Sequence, residues 1–140
     1  MKPATLIIAL TAAAFVVPMA ASSRDAVVPE TVTVAADKEI PNVPGKRLLS
    51  LVVDYPPRGK SMPHRHARSA FIYAYVLSGR VRSQVDDEPA RVYLPGESWF
   101  EKPGAHHRVS ENASDTESAR LLAVFIVDIA DEQTTTPDAQ

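Results

Sequence analysis

The histidines of this chain, His64, His66, His106 and His107, stand in two tight pairs far apart in the sequence. Neutral imidazole is the commonest side-chain ligand for transition ions. In extended backbone, residues i and i+2 point to the same side with Cα atoms roughly 7 Å apart, so His64-Arg65-His66 presents two donors to one point. His106 and His107 are neighbours, and a strand turns only one of them that way. Three neutral imidazoles at about 2.0–2.1 Å from a divalent ion leave positions open for water or substrate, the arrangement shared by catalytic metal sites. The chain has no cysteine, so thiolate sites, disulfides and thiol nucleophiles are excluded and only His, Asp and Glu remain as ligands.

Strands must position these rings. Runs rich in β-branched and aromatic residues occur at 48–55, 71–77, 80–85, 91–94, 98–102, 107–110 and 121–129. They are separated by turn chemistry such as Pro56-Pro57-Arg58-Gly59, Ser78-Gly79, Pro95-Gly96 and Pro103-Gly104. Twelve prolines against five glycines favour many short segments over long helices, and no helical period lasts beyond three turns. Short strands at this spacing predict an all-β, antiparallel sandwich or barrel. Alternation of Phe71, Tyr73, Tyr75 and Leu77 with Ile72, Ala74 and Val76 predicts a strand covered on both faces.

With 140 residues, 45% of them hydrophobic, the chain suits one domain with a core. We divide it into a signal peptide at 1–22, an N-terminal arm at 23–44, the barrel at 45–130 and a polar C-terminal tail at 131–140 that is expected to fray. The arm carries a β-prone patch, Thr31–Val34, suited to adding a strand to a neighbouring sheet edge. Leu6–Val17 is an apolar run ended by Pro18 and followed by Ala20-Ala21-Ser22-Ser23, which reads as a signal sequence and predicts export to a bacterial periplasm. The run is too short for a permanent membrane span, which needs about 20 residues. A net charge of −2 gives no positive field for phosphate binding, so nucleic acid is not an expected partner. No G-x-S-x-G elbow or phosphate-cradling glycine loop occurs.

At this spacing the sequence resembles the cupin superfamily. Its second motif, G(X)5PXG(X)2H(X)3N, is followed from Gly96 through Pro103-Gly104-Ala105-His106-His107, with Lys102 in the proline place. The first motif, G(X)5HXH(X)3,4E(X)6G, is matched by His64, His66 and Gly79. The resemblance implies a single-domain jelly-roll β-barrel in which His64, His66 and His107 hold a divalent ion, with iron or manganese favoured and zinc or nickel as alternatives. His106 is then a rim residue or a hydrogen-bonding neighbour of the site. Counting back from Gly79 places the family's carboxylate ligand at Ile72, and the segment from Ala67 to Gly79 has no acid at all. A carboxylate can return from Glu97 or Glu101, which share the odd-numbered face of the strand leading to His107, and Glu101 is the better fourth ligand. The asparagine place falls on Glu111, with Asn112 next to it.

Two functions are compatible with these residues. One is an exported three-histidine oxidoreductase, of the dioxygenase kind found among such cupins, acting on a small organic molecule. The other is a non-enzymatic cupin that binds a metabolite or a metal. By the same resemblance, two copies are expected to pair as a homodimer.

Overall fold

A computed structural model describes residues 27–139. The signal-peptide reading of residues 1–22 lies outside the described residues. Ten strands follow in order: β1 (Thr31–Glu39), β2 (Lys46–Tyr55), β3 (His64–His66), β4 (Phe71–Ser78), β5 (Val81–Val85), β6 (Arg91–Tyr93), β7 (Ser98–Glu101), β8 (His106–Asn112), β9 (Ala119–Asp128) and β10 (Thr135–Pro137). They form two antiparallel five-stranded sheets, β1-β2-β9-β4-β7 and β10-β3-β8-β5-β6. The strands expected from 48 onward all form, with ends displaced by a few residues, and the all-β jelly-roll expectation is met.

Alternation decides which side chains the sheets enclose. On β9, Leu121, Ala123, Phe125 and Val127 are buried while the residues between them are partly open, and on β4 Ile72, Ala74 and Val76 are buried. Full burial of a side chain the size of Ile72 or Val76 contributes about 1.5–3 kcal/mol, so the inner faces hold the sheets together. Two apolar clusters result. One contains Tyr55, Val76, Val81 and Trp99, and the other Leu49, Ile72, Phe125 and Val127. Gly79 turns β4 into β5 with φ +71°, and a Cβ there would lie 2.4 Å from the Ser118 carbonyl oxygen, so only glycine fits.

Three local expectations are corrected. The odd-numbered face of β4 is not covered: Phe71 and Leu77 are exposed, and Phe71 stacks on exposed Phe100 of β7 at 5.6 Å. Alternating apolar residues reported strand geometry there, while the second covering layer is absent among the described residues. The Thr31–Val34 patch is not a free arm, because β1 pairs with β2 along its length in the chain's own sheet. The tail does not simply fray. Thr135, Thr136 and Pro137 pair with His66, Arg65 and His64, so polar side chains gain a place through backbone bonding that composition does not report.

Candidate metal centre

Strands β3 and β8 pair antiparallel with His64 opposite His107 and Arg65 opposite His106. Directly opposed residues share a face, so His64 and His107 enter the barrel together, and His66 follows two residues along. Ligand atoms of His64, His66 and His107 all lie within 4.8 Å of one another. Their ring centroids are 4.8 Å (64 to 66), 5.3 Å (64 to 107) and 5.9 Å (66 to 107) apart. His66 and His107 are buried and His64 is half-buried. Phe125 and Trp99 stand edge-on to His66 and His107, fencing the rings with carbon.

Hydrogen bonds set what each ring offers. His64 Nδ1 lies 2.7 Å from the Met62 carbonyl oxygen, which only accepts, so Nδ1 carries the proton and Nε2 keeps a lone pair. His107 Nε2 lies 2.9 Å from the Ser83 hydroxyl, and its Nδ1 faces Glu101 Oε1 at 3.4 Å. Burial pushes the His107 imidazolium down to about 4, and it lowers His64 as well, so both rings are neutral at ordinary pH and fit to ligate.

Glu101 stands beside the three rings. Its Oε2 approaches His66 Nε2 to 2.9 Å, yet neither atom makes an aligned hydrogen bond, and His66 Nδ1 is also without a partner among the described residues. Burial opposes ionisation of this carboxyl, but the neighbouring imidazoles and the Trp99 indole N–H, which donates to Oε1 at 3.0 Å, outweigh it and lower the pKa. Glu101 lies directly opposite Ile72 across the β7–β4 pair. A carboxylate on the facing strand thus shares the side of the sheet that Ile72 faces. Buried, unpartnered nitrogen and oxygen atoms are the signature expected where a cation completes the bonding, and the donor set of three imidazoles and one carboxylate suits a divalent ion.

The other sequence-derived residues fall elsewhere. His106 points away, accepting from Arg65 at Nδ1 (3.4 Å) and donating from Nε2 to Asp138 (2.7 Å). Glu97 is occupied with Arg91 and the Leu94 amide, and Glu111 with Arg82. One extra residue in β8, at Arg108, shifts the register against β5 between Gln84 and Val85. That bulge explains the displaced asparagine. Asn112, not Glu111, turns inward, where its amide donates to the carbonyls of Pro56 and Glu117 and its oxygen accepts from the Ser114 amide.

The rings open into a cavity of about 360 Å³ with a mainly apolar wall that includes Leu51, Val53, Ile72, Leu121 and Phe125. Tyr55, Ser61, Ser110 and the tail residues Thr134, Thr135 and Pro137 also line it. The sequence reading missed Ser83, Tyr55 and both of these serines. Inward alternation of Val81, Ser83 and Val85 on β5 signals the first, but no sequence feature signals the others.

The cupin domain family matches residues 51–125, more than half of the chain. The chain belongs to the cupin family. Among solved structures, this cupin is similar to a double-stranded β-helix protein of uncharacterized function from Klebsiella pneumoniae, at 15% identity and TM-score 0.62, covering 80% of this chain and 86% of that one. It also resembles an oxalate oxidase in complex with the substrate analogue glycolate, at 23% identity and TM-score 0.54, covering 70% of this chain and 51% of the other. A third likeness is to the DMSP lyase DddQ of Ruegeria pomeroyi, at 21% identity and TM-score 0.54, covering 66% and 45%. At these identities the likeness establishes the fold. A search of curated proteins gives no significant match to this cupin.

Proposed function

We propose that this cupin is an exported mononuclear metalloenzyme, an oxidoreductase of the dioxygenase kind, acting on a small organic molecule in the central cavity. The observation that carries the reading is the convergence of His64, His66 and His107 at one point of a mainly apolar cavity, with buried His66 and Glu101 atoms left unpartnered. Iron or manganese is the proposed occupant. Such an ion supplies Lewis acidity, redox capacity and open coordination positions.

The chain's own residues provide the rest. His64, oriented by the Met62 carbonyl, and His107, held between Ser83 and Glu101, present their nitrogens as neutral donors. Glu101 stays ionised and offsets the positive charge of a bound ion, either as a fourth ligand or from just outside the ligand set. The carbon wall excludes bulk water, which strengthens every polar contact made inside. Export rests on the apolar Leu6–Val17 segment. Pairing of two copies would use the edge of β1, which is the outermost strand of its sheet among the described residues. No helix among the described residues is long and apolar enough to cross a membrane.

Metal analysis of protein purified from its native compartment, followed by oxygen-uptake assays on diketones, thiols and phenols, tests the reading. Iron or manganese at one ion per chain with turnover is the expected result. Metal-free protein that takes up neither ion overturns the site. One zinc or nickel per chain without turnover removes the oxidoreductase and leaves a binding protein.

A further inference from the structure

Three hydroxyls inside the cavity form a chain of their own. Tyr55 Oη lies 2.7 Å from Ser110 Oγ and 3.1 Å from Ser61 Oγ. Each hydroxyl carries one proton, so two mutual bonds use two protons and leave a third. That third donor has no protein acceptor among the described residues. Tyr55 and Ser110 are buried, 2% and 5% exposed, Ser61 is half-buried, and all three residues line the cavity that contains the imidazoles. An oxygen acceptor on a ligand in the cavity would satisfy that donor.

Placement ties this cluster to the metal centre. Ser61 lies three residues before His64 and Ser110 three residues after His107, and the Ser61 amide donates to the Ser110 carbonyl at 2.9 Å. The two serines thus continue the same pairing that sets His64 opposite His107. Regular alternation would turn Ser110 outward if His107 faces in, but the bulge at Arg108 reverses the parity and brings both into the cavity. Three residues of strand separate the two levels by about 10 Å at the backbone. Glu30 and Lys60 both border the cavity, so charges of both signs flank it. Burial, with Glu30 adding to it, raises the Tyr55 pKa, and the phenol stays a donor.

Resting on the proposed metal site, we infer that Tyr55, Ser61 and Ser110 form a second recognition site that binds the neutral oxygen acceptor, a carbonyl or ether, of a ligand whose anionic oxygen end lies at the imidazoles. An apolar spacer of about three to five carbons bridges the two levels. The substrate class is therefore a short oxo acid or its equivalent, read at both ends.

The test uses 5-oxohexanoate and 5-methylhexanoate, which differ in whether position five carries an acceptor. Binding is measured by calorimetry on the full protein, both loaded with redox-inert Zn(II) and metal-free. The wild type is expected to prefer the ketone about tenfold, the worth of one buried hydrogen bond. In the triple variant Tyr55→Phe, Ser61→Ala, Ser110→Ala the preference falls to within about twofold. Removing all partners together leaves no orphaned hydroxyl, so this variant keeps its fold, and Tyr55→Phe alone gives an intermediate ratio. Equal binding of the two probes by the wild type, a preference that survives the triple variant, or no binding of either probe overturns the inference. Metal uptake is read separately by elemental analysis. No uptake overturns the metal site, whereas one Zn(II) per chain with equal binding of the two probes overturns the hydroxyl site alone.

Discussion

The two histidine pairs carry the same side chain on paired strands and end in different chemistry. His64 and His66, one residue apart on β3, both enter the barrel, whereas His106 and His107, adjacent on β8, divide between outside and inside. His66 and His107 are fenced by Phe125 and Trp99, and burial keeps His64 and His107 neutral, while His106 bonds to Arg65 and Asp138. Parity along a strand, and not residue type, decides whether an imidazole joins the inner cluster or bonds to the segment that carries Asp138.

The largest expected effect breaks the inner set. His66→Ala or His107→Ala should weaken metal affinity on the order of a thousandfold, beyond the 10–100-fold cost of losing an outer partner, while His106→Ala leaves the metal content unchanged. Competition with a chromophoric chelator measures all three variants. A His106 variant as poor in metal as the other two would erase the distinction between the pairs.

Acid should act on the inner pair's strand partner next. The His107 imidazole takes a proton near 6.5 when exposed and near 4 in the fold. Between those values the unfolded chain binds more protons, so stability present above pH 6.5 drains as pH falls and is fully lost by about pH 4. For the metal-free protein the loss is about 3 kcal/mol, read from urea midpoints across that window. His107→Gln should flatten the slope, and an unchanged slope would show that another group sets it.

The smallest effect sharpens the role of the carboxylate. Glu101→Gln keeps the shape and the bond from Trp99 but removes the charge, and metal affinity should fall about tenfold. An unchanged affinity would make Glu101 a bystander of the rings. A loss as large as that of His66→Ala would make it a ligand in its own right.

Much of this was legible in the residues. Alternation and turn chemistry located the strands from Leu48 onward, and His-x-His with the second motif placed the three rings, because strand parity is a local property. Glu101 was readable as a candidate from parity alone, but its place opposite Ile72 required the β4–β7 register. Asn112 and Ser110 were hidden by a single bulge, which reverses inside and outside without any sequence mark. The tail escaped because Thr135–Pro137 is held by backbone bonds to β3, and polar composition carries no signal for those.

That last pairing has a practical side. Since Thr134, Thr135 and Pro137 supply wall beside the imidazoles, this short polar segment helps set the bore of the chamber. Replacing Thr134 and Thr135 with glycine should widen it without altering His64, His66 or His107.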